Sequence, residues 1–316
     1  MSSTQPILIV GDITLDGVLT LPHFPAEGAE VVVRSSATRL GGSGCNTAVA
    51  LSLLGKRALL AGHLGMDPFG EMAARELDLP ELDINLVERT TEAATGFIVV
   101  TVSDEARRTM FSARGCNRLP PDLSRVLPAL GNASWLHISG YTFLEDGQWA
   151  AMCRLIEHAH EAGIPVSLDP SLEAALRARE RVLEAVPRCQ VLLVSQPELT
   201  ALSGAEEVER GVAFLMDRGA SLLAVKMGER GSRVFSQEET ASVPAFAGGE
   251  ILDTTGAGDC FNAGFLCGLL SGWSRAQSAR LGNALAYLAI TEGKGVAGLK
   301  GVADLWGMVS SMVEAS

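Results

Sequence analysis

Beyond residue 130 the sequence alternates short apolar runs with longer stretches of helical character, and that rhythm leaves few folds open. Strands are expected at 134–138, 165–168, 191–194 and 222–226, with helices at 147–162, 173–185 and 205–217. A short strand that is apolar throughout is buried on both faces, and a helical crossover is what lets consecutive strands run parallel. The expectation is an α/β chain on a central, mainly parallel sheet with helices on both faces. Two short β segments near 232–236 and 241–246 follow, then helices at 257–271, 275–291 and 303–313. Upstream, Ile7 to Val10 reads as a buried strand and Leu59 to Ala61 as the next; the intervening helix runs from the Gly41–Gly44 turn to Leu54, with Gly55 closing it.

Two segments break the rhythm. Residues 15–38 alternate weakly about a Pro/Gly-rich turn, and 96–113 hold two β-rich runs about the polar turn 103–106. As hairpins they most simply form a small separate sheet; the competing arrangement is an antiparallel extension of the main one. No repeat or long linker interrupts the chain, so 1–316 is expected to form one domain. A formal charge of −12 disfavours nucleic acid and anionic membrane surfaces as partners. No run approaches the ~18 apolar residues of a membrane span, and the N-terminal residues lack the positive charge of a secretory signal. Six cysteines without zinc spacing read as buried thiols of a reducing, cytoplasmic protein, and the five histidines show no metal spacing.

The chemistry concentrates in Asp253-Thr-Thr-Gly-Ala-Gly-Asp259. Gly256 and Gly258 let backbone N–H groups turn towards a common point, and the helix expected to follow adds unpaired N–H groups and a positive dipole end. That is a place for a phosphate. A carboxylate in the same turn makes sense if it takes a proton from a hydroxyl attacking that phosphate. The competing reading is an aspartate that only caps a helix.

Other candidates lie at the ends of expected strands. Gly41-Gly42-Ser-Gly-Cys-Asn46 offers N–H groups and an amide to a ligand hydroxyl, or is a plain glycine turn before a helix. Thr14 and Asp16 follow the first strand, where an open α/β sheet presents ligand contacts; Asp12 is read as a turn or capping residue. Asp67 is expected to open a helix. Ser195 and Glu198 read either as a ligand pair or as the first turn of a helix. Lys226, Gly228 and Gly231 end another strand, where a simple β-turn with solvent-facing charges is the plain reading. Tyr141 is available to stack on a sugar face or a base. Neither a Gly-x-x-x-x-Gly-Lys-Ser/Thr loop nor a Gly-x-Gly-x-x-Gly after the first strand occurs, which excludes the commonest nucleotide folds.

Residues 253–264 and 41–46 together resemble the two signatures of the ribokinase/PfkB family of sugar and nucleoside kinases. The resemblance implies a ribokinase-like fold whose small sheet is a lid over the sugar site and, in several members, a dimer interface. It implies ATP-dependent phosphorylation of a hydroxymethyl group, with Asp259 as base and the N–H groups of Gly256, Ala257 and Gly258 as anion hole. Thr14, Asp16, Gly41, Gly42 and Asn46 would hold the acceptor. Lys226, Gly228 and Gly231 would face the ATP phosphates and ribose, with Asn283 lining the adenine pocket. Glu198 would hold Mg2+ through water, and the carbonyls of Asp253 and Thr255, near Gly293 and Gly295, an optional K+.

The sequence also departs from the pattern. Thr14 and Ser195 stand where the family has Asn, and the segment after Asp169 lacks the Asn and Arg of the family's Asp-Pro-Asn-x-Arg element, which disfavours an anionic acceptor. A neutral sugar is therefore expected. The alternatives are a nucleoside, for which the lid offers Phe24, Phe97 and Phe111, and a non-catalytic sugar-binding protein. Arg107, Arg108 and Arg114 of the lid either reach a ligand or remain solvated.

Overall fold

A computed structural model describes residues 5–104, 108–293 and 295–314. In chain order its strands are β1 (Ile7–Val10), β2 (Thr14–Leu21), β3 (Ser35–Gly41), β4 (Ala58–Gly65), β5 (Leu82–Thr90), β6 (Gly96–Ser103), β7 (Arg108–Ala113), β8 (Trp135–Ser139), β9 (Val166–Asp169), β10 (Val191–Ser195), β11 (Leu222–Lys226), β12 (Ser232–Ser236) and β13 (Thr240–Val243). The main sheet has nine strands in the order β13-β12-β11-β10-β9-β8-β1-β4-β5. From β5 across to β11 every pairing is parallel, and β12 and β13 complete the far edge as an antiparallel hairpin.

Strand β1 shows why both faces are covered. Successive side chains of a strand point to opposite faces, so Ile7 and Ile9 enter one core with Leu51, Phe265 and Leu281, while Leu8 and Val10 enter another with Leu155, Val182 and Leu202. Helices Ser43–Leu53, Ala257–Leu270 and Arg275–Thr291 close the first core; Asp146–Glu161, Arg179–Ala185 and Gln196–Ser203 close the second.

The expected helix over 173–185 is two, Leu172–Arg177 and Arg179–Ala185, because Ala178 leaves helical geometry. Strand β5 and helix Leu123–Leu130 were not legible. In β5 the buried Leu82 and Leu86 are interspersed with exposed polar residues of a sheet edge, and Pro128 inside the helix argues against a helix on sequence grounds. Asp67 opens helix Pro68–Glu76 as expected, its side chain accepting from Gly70 N at 2.8 Å.

The two hairpins form a separate four-stranded sheet, β3-β2-β6-β7, rather than an extension of the main one. Each hairpin is antiparallel, and β2 and β6 join them in parallel. Residues 105–107, with Arg107 and the second half of the expected turn, lie outside the described residues. At the root of this sheet Asn117 grips the backbone of Ile13, accepting from its N–H at 2.9 Å and donating to its carbonyl at 2.7 Å. Asp12 is neither a turn nor a capping residue. It is buried and ion-paired with Arg114 at 3.2 Å, because a carboxylate this far from water requires a cationic partner. Arg114 is correspondingly not solvated; it also donates to the carbonyls of Asn117 and Tyr141. Among the described residues no helix is long and apolar enough to cross a membrane.

Candidate active site

Gly256, at φ 74°, turns the chain into helix Ala257–Leu270, which places Asp259 in the first turn. Just upstream, Thr255 donates to the Asp253 carboxylate from both its N–H (2.9 Å) and its hydroxyl (2.7 Å), fixing the loop that presents the first-turn N–H groups. Across from this loop begins helix Ser43–Leu53. Ser43 and Asn46, three residues apart and so on one helix face, donate to the two oxygens of Asp259 at 2.9 and 2.8 Å. Asn46 therefore orients Asp259 directly. A Cβ on Gly256 would lie 3.4 Å from the Asn46 amide nitrogen, so the two glycine motifs meet.

Burial, and after it the charge of Asp169, push the Asp259 carboxyl up to about 7, against the opposing pull of Asn46, Ser43 and Lys226. Such a carboxylate is basic enough to accept a proton near neutral pH.

Gly42 and Gly41 have separate steric reasons to be glycine. Gly42 is at φ 97°, and a Cβ there would lie 2.2 Å from the Asp12 carbonyl; one on Gly41 would lie 2.4 Å from the Asp16 carboxylate. Asp16 is buried against that bare backbone and accepts from the Thr14 hydroxyl at 2.7 Å. Burial raises its pKa despite Thr14 and the nearby Arg39. Thr14 thus serves Asp16 in place of the Asn seen in the resembled family.

Three residues that the sequence reading did not single out for the site complete its floor. Asp169, at the carboxyl end of β9, accepts from Lys226, at the carboxyl end of β11, at 2.8 Å. Asn262, one turn after Asp259, donates to Asp169 and accepts from Lys226 at 3.2 Å. Burial opposes the charge on Lys226, but Asp169 and Glu198 outweigh it and raise its pKa; in turn Lys226 and Asn262 outweigh burial and lower that of Asp169. A Cβ on Gly258 would lie 3.6 Å from the Lys226 ammonium, which sets this cation beside the glycine loop. The third residue is Ser43. Asp169 was findable by the strand-end rule applied to Asp16, and Asn262 and Ser43 by their three-residue spacing from Asp259 and Asn46.

The remaining candidates are engaged in contacts of the framework. Ser195 and Glu198 form a capping box, Ser195 N–H donating to Glu198 at 2.7 Å and Glu198 N–H to the Ser195 hydroxyl at 3.4 Å. Glu198 is buried, and burial followed by Asp169 raises its pKa. Gly228 (φ 60°) and Gly231 (φ 83°) turn β11 into β12, and a Cβ on Gly231 would lie 2.2 Å from the Val243 carbonyl. The Asn283 amide donates to the carbonyls of Val243 and Pro244, each at 3.1 Å. Tyr141 is partly buried in the turn after β8, where burial and the carboxylates Asp12 and Asp259 raise its hydroxyl pKa.

Residues 253–255 do meet the turn after residue 290: Asp253 N–H donates to Ile290 O at 3.3 Å, and a Cβ on Gly295 would lie 2.7 Å from Thr255 O. Among the described residues no three His, Cys, Asp or Glu side chains gather to hold a metal.

The aromatic residues of the small sheet stand away from Asp16. Asp16 is in register with Ile98 and Ser112, whereas Phe97 pairs with Leu15 and Ala113, and Phe111 with Val99, on the opposite face. Phe97 stacks on Phe69, and Phe111 on Phe24.

Comparison with known proteins places these residues in context. The pfkB family carbohydrate kinase model matches residues 5–300. A probable fructokinase-4 of Arabidopsis thaliana is 30% identical over 277 residues, covering 84% of this chain and 83% of the relative. A nucleoside kinase of Methanothermobacter thermautotrophicus is 24% identical over 294 residues, covering 92% and 91%. The structure of Arabidopsis thaliana ribokinase complexed with ribose and ATP superposes with a TM-score of 0.81 at 23% identity, over 99% of both chains.

Proposed function

Because the chain belongs to the pfkB family of carbohydrate kinases, and so transfers a phosphoryl group to a hydroxyl, we propose that it uses ATP to phosphorylate the hydroxymethyl group of a neutral sugar. One observation carries this reading: a carboxylate with a pKa of about 7, aimed by Ser43 and Asn46 at the mouth of a glycine anion loop that Lys226 also faces.

Asp16, with Thr14 behind it, accepts hydrogen bonds from two acceptor hydroxyls, and Tyr141 flanks the sugar. Asp259 removes the proton of the attacking hydroxyl. The N–H groups of Gly256, Ala257 and Gly258 and the Lys226 ammonium stabilise charge on the transferring phosphoryl. The turn at Gly228 and Gly231 and the Asn283 region line the nucleotide. A single carboxylate reached through water suits Mg2+, which keeps most of its water and the substrate phosphates as ligands. Glu198 would hold it from beside Asp169 and Lys226, and the ion would supply charge to the phosphates. An optional K+ would sit among the carbonyls of Asp253, Thr255, Gly293 and Gly295.

The lid faces favour a sugar over a nucleoside, since Phe97 and Phe111 lie on the side away from Asp16. We read the chain as one cytoplasmic domain; its six cysteines, none in a disulfide, fit a reducing compartment. The outer aromatic pair Phe24 and Phe111, each about half exposed, fits a lid-mediated homodimer.

The test is coupled ADP release across ketohexoses, aldohexoses, pentoses, nucleosides and sugar acids. A neutral sugar with the highest kcat/KM is expected, and a sugar acid or sugar phosphate as best substrate would overturn the reading.

A further inference from the structure

We propose that Arg39 is a positioning residue for phosphoryl transfer, tying the acceptor side of the lid to the anion loop through Asp253. The proposal rests on the kinase reading above for its chemistry and on contacts in this chain for its geometry.

Arg39 stands on β3 directly across from Asp16 on β2, so both side chains project from the same face of the lid sheet. Its guanidinium donates to the carboxylate of Asp253, and both side chains are largely buried, at 16% and 15% exposure. Asp253 also receives the Thr255 N–H and hydroxyl, so the carboxylate that Arg39 holds is the one that shapes the loop.

The chain between these contacts is short. From Arg39 it runs through Gly41, whose bare Cα accommodates Asp16, to Gly42 and then Ser43 and Asn46, both bonded to Asp259. The segment 39–46 therefore meets the segment 253–259 at two places. Arg39 holds Asp253 at one end, Ser43 and Asn46 hold Asp259 at the other, and Gly256 to Gly258 lie between them. Removing one tie leaves the base anchored but frees the start of the loop whose N–H groups must face the phosphoryl. Asp16, in register with Arg39, makes the same connection report on the acceptor. A loop displaced by about 1 Å can cost up to ~10²-fold in rate.

Arg39→Met keeps the aliphatic stem and removes the charge, and Asp253→Asn breaks the same tie from the other side. Both are expected to lower kcat about 10-fold or more while the KM for ATP changes by no more than about twofold. Arg39→Lys should restore part of the loss, as a point charge without the planar fork. Hydrogen exchange of the unliganded proteins provides a readout independent of turnover: residues 252–258 should exchange faster in Arg39→Met than in the parent, with 281–290 unchanged. A kcat within about twofold of the parent in both variants overturns the proposal, whatever the exchange. If the parent phosphorylates none of the acceptors, the kinase reading fails on its own and exchange decides the tie: faster exchange at 252–258 supports it and unchanged exchange overturns it.

Discussion

Asp259 takes its hydrogen bonds from Ser43 and Asn46, 216 and 213 residues away in sequence, whereas Glu198 takes its own from Ser195, three residues away. The contrast extends to the surroundings of each. Around the small sheet and the glycine loop 256–258, polar groups from β2, β3, β9, β11 and two helix starts converge on one another, and burial raises a carboxyl to about 7. On the side of Gly231 and Asn283, side chains and glycines complete turns and caps of the framework. A charged group held by distant elements is positioned by the whole fold, and its removal should act on chemistry. A group held by its own turn acts first on local stability. The following experiments can break or sharpen that distinction, starting with the largest effect.

Replacing Asp259 by Asn should lower kcat by ~10²–10⁴-fold, the range associated with a positioned general base, with nucleotide binding retained in a direct titration. A variant that turns over normally would remove the distinction at its root. In the parent, log kcat/KM should fall by about one per pH unit below about 7, since only the ionised carboxylate can accept the proton. The sign for stability is opposite. A folded pKa raised above the ordinary 3.8 stabilises the fold at low pH, and that contribution is lost as pH rises through about 7. Melting temperature of Asp259→Asn relative to the parent should therefore be higher at pH 8 than at pH 4; an equal difference at both values would contradict the burial argument.

Lys226→Met should come next, with a loss of ~10²-fold in kcat, comparable to removing one preorganised donor from an anion site. It also strands Asp169, which is buried and paired with that ammonium, so the variant should be destabilised. Coupling it with Asp169→Asn separates the effects. The double variant should recover stability without recovering turnover, and recovery of both would reduce Lys226 to a structural counter-ion.

The same division by sequence distance sets what the sequence made legible. The parallel sheet, the separate small sheet and both glycine signatures could be read because apolar periodicity and turn chemistry are local. Asp67 as a helix cap was read correctly for the same reason. The residues could be found by position, but not which of them pair: neither the bonds of Ser43 and Asn46 to Asp259 nor those within the Asp169–Lys226–Asn262 cluster, whose members lie 36 to 93 residues apart, have a local signal. Asp12 was misread because a strand-end aspartate looks the same in sequence whether it faces solvent or an arginine 102 residues onward. Ala178, where one expected helix becomes two, carries no local breaker at all.

Asn283 tests the framework side. Its amide satisfies two carbonyls at the end of β13, so Asn283→Ala should cost about 1–3 kcal/mol of stability, the penalty for leaving buried acceptors unmet. If Asn283 acts on the nucleotide only through that edge, kcat should stay within about twofold of the parent while the KM for ATP rises modestly. A large fall in kcat at unchanged stability would move this residue to the chemical side of the comparison.

The smallest expected effect is the most discriminating, because Glu198 is a candidate on both sides. Its carboxylate completes a capping box with Ser195, yet it lies close enough to Lys226 to help raise that residue's pKa, and close enough to Asp169 to have its own raised. Gln also serves at that position of a capping box, so Glu198→Gln removes the charge and keeps the cap. Melting temperature should therefore change little, less than the loss of ~1 kcal/mol expected when a cap is deleted outright. If Glu198 holds magnesium through water, the Mg2+ concentration for half-maximal activity should rise several-fold while kcat at saturating Mg2+ recovers. An unchanged Mg2+ dependence with an unchanged melting temperature would assign Glu198, like Asn283, to the framework alone.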